Sequence, residues 1–186
     1  MKIICVGDSL TAGEIGFCYR DYLDSNIEAI NKGMNGDNTF GVLARLRRYL
    51  RNDNYKDVDN YLIFTGLNDL LLFDFSTIKD LISSDEETFK SNYENIAKEL
   101  KDKKKKGVFV SISFVESLDT THKSIKRFNE IIKEIADKNG FIYCDIYSPM
   151  KEFYLNGEEL TIDGSHFKEI SARVSAREIE KAINKL

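Results

Sequence analysis

No apolar run in this chain of 186 residues approaches the roughly 20 residues that a membrane-spanning helix requires. A positive excess is also missing. With 27 Lys and Arg against 31 Asp and Glu, the formal charge is −4, which argues against a nucleic-acid-binding face. Cysteine is scarce: Cys5, Cys18 and Cys144 are odd in number and far apart, so buried free thiols are expected rather than disulfides or metal ligands. The N-terminus runs from one lysine straight into an apolar stretch, without the longer core and cleavage site of a signal peptide. A cytoplasmic protein is the simplest expectation. Internal repeats, linkers and low-complexity segments are lacking, so one domain over residues 1–186 is expected.

What is present fits a soluble globular protein, with 42% apolar and 31% charged residues. Short apolar, β-branched runs predict strands at 2–6, 26–30, 59–65, 108–112 and 141–145. Between them, helical periodicity or turn chemistry predicts helices at 17–24, from 39 to 50, from 85 into the lysine run 103–106, and at 120–139. A last helix is predicted at 167–186, after a loop around Pro149. Gly107 and Gly140 read as helix-ending glycines. Strict alternation implies βαβ units with right-handed crossovers. The expected fold is a three-layer α/β/α sandwich around a five-stranded parallel sheet, in the flavodoxin-like order 2-1-3-4-5.

Polar clusters interrupt this pattern at Gly7-Asp8-Ser9, Asn31 to Asp37, Gly66 to Asp69 and Asp163-Gly164-Ser165-His166. In a parallel sheet the carboxyl ends of all strands share one edge, so the first three clusters converge there. Ester hydrolysis needs a nucleophile, a base, an orienting acid and donors for an oxyanion. Ser9 ends the first strand; His166 is a base for its proton; Asp163 is close enough in sequence to fix the imidazole tautomer. The N–H groups of Ser9 and Gly36 and the Asn68 amide are oxyanion donors that add no charge. Other readings use the same residues. Asp8 or Ser9 also suits a simple helix cap. Asp8, Asp69, Asp163 and His166 together suit a divalent metal in a phosphatase-like site. A helix start after the first strand also suits a sugar- or anion-binding module without turnover.

The four blocks, in this order and at this spacing, resemble the SGNH (GDSL) hydrolases. Ser9 lies in Gly-Asp-Ser-Leu, Gly36 in Asn-Lys-Gly-Met-Asn-Gly-Asp, Asn68 in Gly-Leu-Asn-Asp and His166 in Asp-Gly-Ser-His. The resemblance runs from residue 2 to about residue 170. It implies a serine esterase or acylhydrolase acting on small ester, thioester or O-acetyl substrates, with no metal or organic cofactor. It also implies Ser9, Asp163 and His166 as catalytic residues, and Ser9, Gly36 and Asn68 as the oxyanion hole. Two positions depart from the usual pattern: Leu67 replaces a frequent threonine, and Phe167 a proline or leucine. They bear on substrate shape. An acyl pocket is expected from Leu70, Phe73 and Phe75, helped by Phe114, Val115 or Phe167. His122, outside the four blocks and without such partners, reads as a solvated helix-face residue.

Overall fold

The computed structural model describes residues 1–75, 86–116 and 119–186. Five strands, β1 (Lys2–Gly7), β2 (Glu28–Gly33), β3 (Asn60–Phe64), β4 (Lys106–Val110) and β5 (Ile142–Cys144), form one sheet in the order β2-β1-β3-β4-β5. Every pairing is parallel, as expected. The central strands read as unbroken apolar runs because helices cover both faces. Ile3 to Val6, Tyr61 to Ile63 and Val108 to Val110 are fully buried. β2 is the half-buried edge, and its exposed Glu28 suits an edge that must not pair further.

The helices are α1 (Ser9–Ala12), α2 (Thr39–Leu50), α3 (Leu67–Phe75), α4 (Glu86–Asp102), α5 (Asp119–Asn139), α6 (Tyr147–Leu155) and α7 (Glu169–Ile183). Three local expectations are corrected. The helix expected at 17–24 is only a 3₁₀ turn, Tyr19–Tyr22; the helical turn near it is α1, closed by Gly13 at φ 72°. The expected loop around Pro149 is α6, where proline falls in the first turn and its missing N–H leaves nothing unsatisfied. Gly107 does not end α4 but lies in β4, where an added Cβ would come within 3.0 Å of the Phe141 ring. Lys104 instead adopts the left-handed turn at φ 54°, and Lys105 N–H donates to Leu100 O at 2.9 Å to close the helix. Gly140, at φ 74°, does close α5.

Among the described residues, no helix is long and apolar enough to cross a membrane. All three cysteines are free and buried.

Candidate active site

Ser9 opens a helix of four residues, too short to be stable alone, so its neighbours must hold it. At its start, Asp8 Oδ1 accepts the Leu10 N–H at 3.0 Å. At its end, Arg20 donates to Thr11 O and Ala12 O (2.9 and 3.1 Å), and Asn31 donates to Ala12 O at 3.0 Å. The nucleophile candidate is therefore clamped at both ends. Asn31 acts from within β2, not from the loop in which the sequence placed it.

His166 comes from the loop before α7. A bridge between Thr161 and Phe167 pins the base of that loop, and Ile162 N–H donates to His166 O at 2.8 Å. Asp163 Oδ1 accepts the backbone N–H groups of Ser165 and His166 at 3.1 and 2.8 Å. Its Oδ2 lies 2.6 Å from His166 Nδ1. The other ring nitrogen, Nε2, lies 3.0 Å from Ser9 Oγ. With the carboxylate on Nδ1, the neutral imidazole carries its proton there, leaving Nε2 to accept from the serine. Partial burial opposes ionisation of Asp163. The His166 N–H, its imidazole and the Ser165 N–H outweigh it and hold the carboxyl well below its usual range.

Gly36 and Asn68 meet this pair from the other side. Asp37 N–H donates to Met34 O at 3.2 Å, closing a turn whose third residue is Gly36 at φ 73°. That φ is the one a type II turn asks of glycine. One N–H of the Asn68 amide donates to Asp37 O at 2.8 Å, so the amide and the glycine turn position each other. Among the described residues, the second N–H of that amide has no hydrogen-bond acceptor. A cavity of about 240 Å³ lies between, lined by Ser9, Gly36, Asn68 and His166 with Leu10, Ile15, Leu67 and Leu71.

Apolar lining was expected from other residues. Leu70 and Phe167 are fully buried in the core, where Phe167 packs on Phe64 with ring centroids 6.3 Å apart. Leu67 and Leu71, one helical turn apart on α3, line the cavity instead. Phe114 lines a different cavity. Val115 borders a neighbouring cavity that shares Leu67, Leu71 and Ser165 with the first. The side chains of Phe73 and Phe75 lie outside the described residues.

Two site-supporting residues had no signal in the sequence. Arg45, on α2, is 8% exposed. It donates to Asp37 Oδ2 through Nε and Nη2 (2.7 and 2.5 Å), to Lys32 O (2.6 Å) and to Gly7 O (2.8 Å). It thus ties the ends of β1 and β2 to the Gly36 turn. Glu116, beyond β4, accepts from Leu160 N–H and from the Thr161 hydroxyl (2.5 and 2.7 Å). Thr161 Oγ1 in turn accepts Gly164 N–H at 3.1 Å, so Glu116 braces the loop that carries Asp163 and His166. Neither residue stands out by spacing, because each partner lies far away in the chain or on the backbone.

The metal reading finds no support in the geometry. Among the described residues, no three His, Cys, Asp or Glu side chains converge as a metal ion would require. Asp69 is held by Thr39, whose N–H and hydroxyl donate to it at 2.9 and 2.5 Å, and Asp8 caps α1.

Burial pushes the Asp8 carboxyl up to about 7, against the Leu10 N–H and with help from nearby Asp69 and Asp37. Burial also raises Asp69 to about 6. An unfolded chain releases the Asp8 proton near 3.8, so between these values the folded form binds one proton more. Stability therefore falls as pH rises from about 4 to about 7, by at most roughly 4 kcal/mol for Asp8. Asp8→Asn keeps the capping oxygen but cannot ionise. Thermal melts of this variant should decline less between pH 5 and 8 than those of the unaltered protein; an equal decline would place the proton elsewhere.

The chain matches the model of the GDSL-like lipase/acylhydrolase family over residues 5–172. A search of curated proteins found no match. Among solved structures, Axe2, an acetylxylan esterase from Geobacillus stearothermophilus, is similar with a TM-score of 0.82 at 19% identity, over 98% of this chain and 93% of that one. A lipolytic protein of the G-D-S-L family from Veillonella parvula is similar with a TM-score of 0.76 at 20% identity, over 100% of both chains. At such identities the likeness speaks for the fold, while the family match covers the blocks of Ser9, Gly36, Asn68 and His166. This chain belongs to the GDSL-like lipase/acylhydrolase family, hydrolases of ester bonds.

Proposed function

We propose that this protein is a serine esterase that cleaves small acyl esters through an acyl-enzyme on Ser9. The reading rests on the hydrogen-bonded series Ser9 Oγ, His166 Nε2, His166 Nδ1, Asp163 Oδ2, with spacings of 3.0 and 2.6 Å, at the edge of a cavity. Ser9 Oγ attacks the ester carbonyl as His166 Nε2 takes its proton. Asp163 stabilises the imidazolium. The N–H groups of Ser9 and Gly36 and the free N–H of Asn68 receive the oxyanion. Collapse breaks the bond to the alkoxy oxygen, which leaves with the proton from Nε2. Water, deprotonated by the same nitrogen, then attacks the acyl carbon, and Ser9 regains its proton.

A cavity of about 240 Å³ with a few leucine and isoleucine side chains suits a short acyl group. Axe2 is an acetylxylan esterase, which makes acetylated sugars the leading substrate class for this chain. Hydrolysis of p-nitrophenyl acetate should begin with a burst of one product equivalent per enzyme molecule. Acetyl should outrun octanoyl esters. A fluorophosphonate should label Ser9, and Ser9→Ala should lose both burst and label. Turnover that survives in Ser9→Ala would remove the acyl-enzyme; no turnover of any ester would favour a sugar- or anion-binding module.

Asn68→Ala is expected to lower kcat by on the order of 10²–10³, the cost of one oxyanion donor. A rise in KM at constant kcat would make the amide a ground-state contact instead.

A further inference from the structure

The loop after β4, the start of α5 and helix α6 enclose a second cavity, of about 420 Å³. Its floor is aromatic. Phe114 stacks on His122 with ring centroids 4.6 Å apart and packs against Tyr147 and Tyr154 at 5.7 and 4.9 Å. The Tyr147 hydroxyl meets His122 Nδ1 at 3.3 Å, so His122 belongs to this floor rather than to a solvated helix face. Lys123, Lys126 and Lys151, with Leu155, complete the described lining, and no acidic residue is among it. Two other cations of α5 are paired: Arg127 with Glu86 and Glu130, and Lys133 with Asp137. Among the described residues, none of the three cavity lysines has a carboxylate partner. In a chain with a net charge of −4, this is a local concentration of unneutralised positive charge.

The placement is equally specific. β4 and β5 stand two and three strands from β1 in the sheet. At a spacing of about 4.8 Å per strand, the cavity lies roughly 10–14 Å from Ser9 along the same sheet edge. The cavity beside Asp163 is bordered by Val115 and Glu116, which directly follow Phe114 in the chain.

We infer that this cavity is a binding subsite for an acidic sugar, a pyranose ring bearing a carboxylate, on an oligosaccharide whose acyl ester is cut at Ser9. Ring faces offer an apolar platform for the C–H face of a sugar, and phenolic hydroxyls offer hydrogen bonds at its edge. The ammonium groups select the carboxylate as point charges. A nucleotide fits less well: no glycine, the residue that lets backbone N–H groups cradle a phosphate, is among the described lining residues. Only the link to Ser9 depends on the esterase reading; binding does not.

Calorimetry should compare a neutral xylo-oligosaccharide with one of equal length carrying a single glucuronic acid. The acidic ligand should bind roughly tenfold tighter or more, the yield of one charge-assisted hydrogen bond. Lys126→Gln/Lys151→Gln should erase that preference, and Tyr154→Ala should weaken both ligands. Turnover of p-nitrophenyl acetate, too small to reach the subsite, should stay unchanged in these variants. Equal affinities for the two ligands, a preference that survives the double variant, or tighter binding of AMP than of the acidic sugar would overturn the assignment. Loss of the preference with p-nitrophenyl acetate turnover intact sinks the subsite alone. Binding as expected in a protein with no Ser9-dependent hydrolysis sinks the esterase reading alone.

Discussion

Replacing His166 with alanine is expected to lower kcat for p-nitrophenyl acetate by on the order of 10⁴–10⁶, and adding Ser9→Ala should cost almost nothing more. The reason is the shared proton. Ser9 Oγ is a poor nucleophile unless Nε2, 3.0 Å away, takes its hydrogen, so losing either group loses the same step. Asp163→Asn tests the third member. An asparagine oxygen can still accept the two backbone N–H groups now held by Oδ1. Its NH₂ would then face Nδ1 and force the imidazole proton onto Nε2, the wrong nitrogen for accepting from serine. A loss of about 10⁴ in kcat is expected from that tautomer change. Strictly additive losses across the single and double variants would mean that the three groups do not act as a unit. Circular dichroism of each variant guards against a folding defect.

Arg45→Met is expected to destabilise the fold by about 3–5 kcal/mol, read as a lower urea midpoint at unchanged slope. The side chains of Arg45 and Asp37 are 10% and 11% exposed, so removing the cation leaves a buried carboxylate without its counter-charge and takes one donor from each of two strand-end carbonyls. The double variant Arg45→Met/Asp37→Leu should regain much of the loss, because replacing a buried pair is far less costly than breaking it. Since Asp37 O also holds the Asn68 amide, Arg45→Met should lower kcat more than it raises KM. A midpoint shift worth under about 1 kcal/mol would show that water reaches the pair and screens it.

Neither Arg45 nor Glu116 was legible beforehand, for a common reason. Arg45 sits among the arginines of an amphipathic helix and reads as another exposed cation; its partners include carbonyls of two strands, which no side-chain pattern announces. Glu116 follows a strand with no motif around it, and its two partners lie 44 and 45 residues further on. The acyl-pocket expectation missed differently. It counted apolar residues after Asn68, but which side chains of α3 reach the cavity is set by packing: Leu70 is wholly buried, while Leu67 and Leu71 line the cavity. Pro149 misled because a proline in the first turn of a helix and one in a loop look alike when the helix start is not known. Strand order and the approach of Ser9 to His166, by contrast, were readable.

Chain order alone settled the α/β alternation, the parallel sheet and the four polar blocks at its edge. These follow from periodicity and from the rule that crossovers return every strand in the same direction. Folding had to decide which leucines line the cavity, which arginine is buried and which glutamate braces the histidine loop. Those choices depend on contacts between residues tens of positions apart, and local pattern carries no record of them.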